Sequence, residues 1–196
     1  MRKIAVQWIG ILLCAGVAVS GEITEQLLAV VNGQIIFLSD IQRDAVFFSD
    51  QPLSSFQDQV NQRINHVLLL DEAKRFVSEP PSSGQIAQAL QKVQSKFSSP
   101  AIFLEHLSQM GMRLETLQAS IADRLWIEAL IRDRIRFFIF VSDEEIKQYI
   151  RDHPDLEGEM EQRTLSIRTF LEKEKEQAKL KEYIEQLRLR ATIEMG

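Results

Sequence analysis

The feature that most constrains this fold is a helix-start signal that recurs along the chain. In it, a serine is followed three residues later by glutamine or glutamate, as in Ser39 and Gln42, Ser82 and Gln85, and Ser142 and Glu145. At this spacing the serine side chain accepts from a backbone N–H at the helix start, and the second side chain accepts from the serine's own N–H. Ser99 before Pro100 marks a further helix start, and Gly111 is placed to end that helix. The sequence therefore predicts a mainly α fold.

Apolar residues spaced three and four apart support this prediction. Between residues 53 and 76 they recur at helical spacing: Phe56, Val60, Ile64, Val67, Leu68 and Phe76. Further helices are predicted over residues 86–97, 101–110, 114–138 and 144–150. Ser82 precedes the first of these helices, and Ser142 precedes the last. Ser39 predicts one more helix, which begins near Asp40. A last helix over 164–190 is highly charged, so its narrow apolar face must dock on the rest of the chain.

A short β-hairpin is predicted before the first helix. Two β-rich runs, residues 27–31 and 34–37, flank Asn32 and Gly33, and Asn-Gly is the strongest two-residue hairpin signal. An isolated hairpin is marginal in water, so a third strand is needed. Residues 191–195 alternate and contain β-branched side chains. We therefore expect a multi-helix fold with a small hairpin that pairs with a C-terminal strand.

Residues 1–20 have the pattern of a secretory signal peptide. Arg2 and Lys3 precede a charge-free apolar run over 4–19, and small residues at 18–20 favour cleavage before Gly21. The alternative is a retained membrane anchor, because about 16 apolar residues fall just short of a spanning helix. A lipid anchor on Cys14 is disfavoured because Leu13 precedes it. Cleavage predicts a periplasmic protein that does not insert stably into the membrane.

Composition argues against most kinds of chemistry. Cys14 is the only cysteine, so the processed chain has no disulfide and no thiol, and losing Arg2 and Lys3 changes its net charge from −5 to −7. An acidic chain is a poor partner for nucleic acid. The three histidines, His66, His106 and His153, lack the spacing of metal ligands. Phosphate-loop and nucleophile motifs are also missing. We expect no cofactor, no metal and no enzymatic activity.

The candidate site is instead a set of large apolar residues near helix ends: Phe47, Phe48, Met110, Met112, Phe137, Phe138 and Phe140. Aromatic residues at or near consecutive positions cannot all be buried by one helix face. Two interpretations follow. Different parts of the core bury them, or they form a partly open apolar surface that binds peptides.

Several segments, in the same order, resemble SurA-type periplasmic chaperones of outer-membrane proteins. They are residues 29–40, 68–73, 103–111 with the helix after it, 141–149, and 183–188 followed by 191–194. In that family, parvulin-type prolyl isomerase modules lie between the helical domain and the C-terminal helix. Here that interval is far shorter than a typical domain of about 100 residues.

The resemblance implies a helical chaperone domain over 21–152, a short linker over 153–163, and a C-terminal helix and strand over 164–196 that dock on the first domain. It also implies that isomerase activity is absent. Because the linker is short, the final helix either folds back on its own body or swaps into a second copy, which would give a homodimer.

The expected function is an ATP-independent holdase that binds unfolded polypeptides, above all outer-membrane proteins. Two alternatives stay open. One is a helical structural or assembly subunit that docks one specific envelope partner, and the other is a degenerate isomerase.

Overall fold

The computed structural model describes residues 25–49, 55–154 and 160–196. The predicted signal peptide and much of the predicted linker lie outside these ranges. Within these ranges 73% of the residues are helical, and a small three-stranded antiparallel sheet is present. The predicted fold class, mainly α with a hairpin that pairs with a C-terminal strand, is confirmed.

The described elements follow one another in this order: β1 (Leu27–Val31), β2 (Gln34–Phe37), α1 (Leu38–Phe48), α2 (Phe56–Phe76), α3 (Ser83–Gln94), α4 (Pro100–Gln109), α5 (Leu114–Arg134), a 3-10 turn (Arg136–Phe138), α6 (Asp143–Asp152), α7 (Met160–Arg190) and β3 (Ile193–Met195). Helix α2 is central, because it contacts α1, α5, α7 and the first two strands.

The hairpin turn also binds the C-terminal end of the chain. Asn32 and Gly33 have φ angles of 50° and 83°, as a type I′ turn requires. The backbone N–H of Asn32 donates to the Thr192 carbonyl at 2.9 Å, and the Asn32 Oδ1 accepts from the Thr192 N–H at 3.1 Å. Strand β3 follows directly and pairs antiparallel with β1, giving the order β2-β1-β3. One residue thus links the hairpin to a strand that lies 160 residues away in the chain.

Most of the predicted helix signals are confirmed. Ser82 and Ser142 both form capping boxes, with Gln85 and Glu145 respectively. Ser99 accepts from the Ile102 N–H at 3.3 Å and caps α4. Gly111 has a φ of 57°, and the next residue, Met112, donates its N–H to the Leu107 carbonyl at 2.9 Å. This left-handed glycine and returning hydrogen bond end α4.

Several predicted boundaries are wrong. Helix α3 spans Ser83–Gln94 rather than 86–97, and α7 begins at Met160, within the predicted linker, rather than at 164. Helix α1 begins at Leu38, because the Asp40 side chain accepts from the Phe37 N–H at 3.0 Å and caps the helix in place of Ser39. The Ser39 hydroxyl instead donates to Glu25 at 3.0 Å. Helix α5 ends at Arg134 rather than at Phe138, because the chain tightens into the 3-10 turn.

Three apolar clusters hold the described elements together. The first core joins the sheet, α2, the second half of α5 and the C-terminal half of α7; the second joins α1, α3, α4 and the first half of α5. The third core is small and joins α6 to the N-terminal half of α7 through Val141, Ile146 and Ile167. Helix α7 therefore takes part in two separate cores, one near each end.

Half-buried ion pairs link α1, α2 and α5 beside the first core. Asp44 on α1 lies 3.5 Å from Arg63 on α2 and 3.0 Å from Arg124 on α5. His66 lies on α2 near these arginines. Burial, together with the charges of Arg63, Arg124 and Arg43, lowers the pKa of His66 to about 3. His66 is therefore neutral in the folded protein at physiological pH.

Candidate functional site

Three of the predicted site residues lie together on the link between α5 and α6. We call residues 135–141 the aromatic segment. Its first and last residues, Ile135 and Val141, are buried. Between them, Phe137, Phe138 and Phe140 are 80%, 72% and 73% exposed. The segment is thus anchored at both ends while three large apolar side chains lie in solvent.

The backbone of the aromatic segment is fastened to α7. The Lys175 ammonium donates to the Phe140 carbonyl at 2.7 Å, and the Arg168 guanidinium donates to the Val141 carbonyl at 2.8 Å. These carbonyls lie between a 3-10 turn and a helix, so no regular backbone ladder satisfies them. Charged donors on α7 take that role, and the segment has a defined position despite its irregular backbone.

Ion pairs strengthen the same connection. Arg136 and Glu176 form a two-point pair at 2.9 and 2.8 Å, the most specific geometry for a guanidinium and a carboxylate. Lys175 also contacts Glu145 at 2.6 Å. The hydrogen bonds that Glu145 accepts from Lys175 and Ser142 lower its pKa to about 2. The hydrogen bond from Arg136 lowers the pKa of Glu176. Both carboxylates stay ionised at neutral and mildly acidic pH, so the connection persists there.

A small cleft lies beside the exposed rings, between the aromatic segment and α7. Its volume is about 210 Å³, and Ile135, Phe138 and Ile139 supply an apolar wall. On the α7 side, Tyr183 is half-buried, and burial together with the nearby Glu72 carboxylate raises the pKa of its phenol to about 12. The cleft extends the apolar surface of Phe138, and the charged side chains of Arg134, Lys179 and Glu182 also line it.

In the described ranges, no three histidine, cysteine or acidic side chains are grouped closely enough to hold a metal ion. None of the helices described is both long and apolar enough to cross a bilayer.

No protein-family model matches this chain. A comparison with curated proteins also finds no match. The assignment of the site therefore depends on its geometry.

The prediction that Phe47 is part of an exposed site is wrong. Phe47 is 0% exposed, and its ring packs against those of Phe97 and Phe103 with centroids 5.9 and 6.1 Å away. Phe97 lies in the link between α3 and α4, and Phe103 lies on α4, so both partners are distant from Phe47 in the chain. Phe47 is a core residue, and no ligand reaches it without opening the second core.

The remaining predicted residues lie apart from the aromatic segment. Phe48 is half-buried beneath the Arg124 guanidinium, whose central carbon lies 3.8 Å from the ring centroid. Met110 and Met112 are partly buried and pack against the second core. The seven residues therefore divide into four at the second core and three on the aromatic segment.

Sequence reasoning missed the residues that hold the aromatic segment in place. Arg168, Lys175 and Glu176 lie on a helix whose charges suggested only a solvated face. Their partners are 27 to 40 residues away in the chain. No local spacing signals such contacts.

Proposed function

We propose that this protein is a periplasmic, ATP-independent holdase that binds unfolded polypeptides, outer-membrane proteins above all, on the aromatic segment. The observation that carries the proposal is the exposure of Phe137, Phe138 and Phe140 on a segment that α7 holds in place. Folded monomeric proteins rarely keep contiguous apolar surface uncovered unless it binds something. An unfolded chain with apolar side chains can cover these rings.

The expected affinity is modest. A phenylalanine side chain offers about 150–250 Å² of surface. At about 25 cal/mol per Å², burying three such rings yields roughly 11–19 kcal/mol before costs. Lost translational freedom and ordering of the bound chain consume much of this free energy. Micromolar, sequence-tolerant binding follows, and release then needs only a partner that binds the client better.

Two sequence arguments support the same proposal. The signal-like residues 1–20 suit export to the periplasm, and the ordered segments resemble SurA-type chaperones. We propose that the protein has no isomerase activity, because the interval that would hold a parvulin module is too short for one.

One observation favours the alternative of an assembly subunit that docks a single envelope partner. The most exposed phenylalanines are concentrated in one short segment rather than spread along a groove. A single compact patch suits one defined partner as well as many unfolded ones. Binding to several unrelated denatured proteins with similar affinity supports the holdase, whereas tight binding to one folded envelope protein supports the subunit.

The test is suppression of aggregation of a denatured outer-membrane protein diluted from urea. Wild-type protein is compared with Phe137→Ser/Phe138→Ser. Both rings are exposed, so the double variant is expected to fold with nearly unchanged stability. We expect it to lose most of the holding activity.

A matched control carries Leu104→Ser and Leu189→Ser. These leucines are 59% and 87% exposed but lie on α4 and near the end of α7. The control is expected to hold as well as wild type. Full activity of a folded Phe137→Ser/Phe138→Ser variant would contradict the proposed site.

A further inference from the structure

A second cleft lies on the other flank of α7, where this helix crosses α2. Its volume is about 510 Å³. The α7 residues that line it include Leu180, Lys181 and Ile184, whereas Lys179, Glu182 and Tyr183 line the cleft beside the aromatic segment. At 100° per residue these two sets lie on opposite sides of α7. We call the larger space the amide cleft, because Asn61 and Asn65 on α2 form its other wall.

Arg188 fixes the orientation of both asparagine amides. Its guanidinium donates to the Asn65 Oδ1 at 2.7 Å and to the Asn61 Oδ1 at 3.1 Å. A guanidinium has donors only, so each amide must turn its oxygen toward Arg188. The two NH₂ groups are left over, and neither donates to any residue in the described part of the chain.

The rest of the lining selects the kind of ligand. Gln177 and Lys181 add further donors at the α7 wall, while Leu180 and Ile184 form an apolar floor next to the first core. The lining also carries charges of both signs, because Glu185 lies there together with Lys181 and Arg188. The lining thus offers amide and charged donors above an apolar floor. Main-chain carbonyl groups of an extended polypeptide match these donors, and its side chains match the floor.

We propose that the amide cleft is a second polypeptide-binding site, at which Asn61 and Asn65 donate to main-chain carbonyls of the bound chain. The proposal rests on the proposed holdase function and deepens it. The aromatic segment binds apolar side chains, whereas the amide cleft binds the backbone, which every polypeptide has. Two weak contacts on one chain raise its apparent affinity, because the second contact is intramolecular once the first has formed.

The test is fluorescence anisotropy with a labelled, unstructured peptide of alternating serine and phenylalanine residues. The variant is Asn61→Asp/Asn65→Asp. Aspartate has the shape of asparagine and keeps an oxygen for Arg188, but it lacks the NH₂ donors. We expect this variant to bind the peptide about tenfold more weakly than wild type, because two hydrogen bonds are lost. Leu189→Ser is the control and is expected to bind as wild type does.

A second measurement observes the two asparagine NH₂ groups directly by NMR. The side-chain NH₂ signals of Asn61 and Asn65 in a nitrogen–proton NMR spectrum are identified by their loss in the aspartate variant. They are expected to shift when the peptide is added to wild type.

The outcomes separate this proposal from the function on which it rests. Unchanged affinity of the aspartate variant with unmoved NH₂ signals overturns the amide cleft, and the holdase proposal stands if Phe137→Ser/Phe138→Ser still weakens binding. Absence of any peptide binding by wild type overturns both.

Discussion

The two ends of α7 make contacts of opposite kinds. Near its C-terminal end, Leu187 is buried in the first core, and the Tyr183 hydroxyl donates to Glu72 of α2 at 3.1 Å. Between its N-terminal end and its middle, a small core around Ile167 is joined by Arg168 and Lys175, whose charged side chains hold the aromatic segment. The comparison indicates that one end of the helix stabilises the fold. The other end positions apolar rings that remain uncovered.

The largest expected effect comes from weakening the packed end. Leu187→Ala removes buried side-chain volume from the first core, so the free energy of unfolding is expected to fall by about 2–5 kcal/mol. Leu189→Ala, two residues further along at an exposed position, is expected to change it by less than about 0.5 kcal/mol. Urea unfolding of both variants measures the difference. Equal effects would show that this end of α7 does not pack on the core as described.

The stability of the packed region is expected to depend on pH, because His66 lies there. This dependence further distinguishes the packed region from the aromatic segment. The folded protein holds the pKa of His66 at about 3, far below the ordinary value of 6.5 for an unfolded chain. Between pH 6.5 and pH 3 the unfolded state binds a proton at His66 that the folded state does not bind. The free energy of unfolding therefore falls as the pH drops below about 6.5. At 1.36 kcal/mol per pH unit, the loss between pH 7 and pH 5 is about 2 kcal/mol at most.

The measurement is urea unfolding at pH 7 and pH 5 for wild type and His66→Gln. The variant lacks the titrating group, so it is expected to lose clearly less stability than wild type over this interval. His106 and His153 are present in both proteins and cancel in the comparison. An identical loss in both would contradict the shifted pKa of His66.

The smallest effect on stability is expected at the end that holds the aromatic segment. Arg136→Gln removes the pair with Glu176, in which the arginine side chain is about half exposed, and such surface pairs contribute about 1 kcal/mol or less. Holding activity is nevertheless expected to fall, because the rings lose a fixed position. Thermal unfolding and aggregation suppression are measured on the same sample. A variant that loses much stability and keeps full activity would reverse the assignment of the two ends.

Local signals in the sequence predicted much of the fold. Asn32 and Gly33 predicted the hairpin, and Ser82 and Ser142 predicted two helix starts, because each signal and its hydrogen bond lie within a few residues. The pairing of residues 191–195 with the hairpin followed from the need to complete a small sheet. These predictions depend on backbone rules that operate at short range.

Contacts between distant segments could not be predicted in this way. Phe47 and Phe137 both stand near helix ends, yet one is fully buried and the other is exposed. The difference arises because Phe97 and Phe103 pack on the ring of Phe47. Helix α7, in contrast, binds a backbone carbonyl of the aromatic segment, and the ring of Phe137 remains exposed. Helical periodicity carries no information about which distant residues meet a side chain.

The central claim is that unfolded chains contact the aromatic segment rather than any exposed apolar residue. Photo-crosslinking tests it most directly, with p-benzoylphenylalanine placed at Phe138 in one variant and at Leu189 in another, each mixed with a denatured outer-membrane protein. We expect strong crosslinks from position 138 and few from position 189. Equal crosslinking from both positions, or none from position 138, would contradict it.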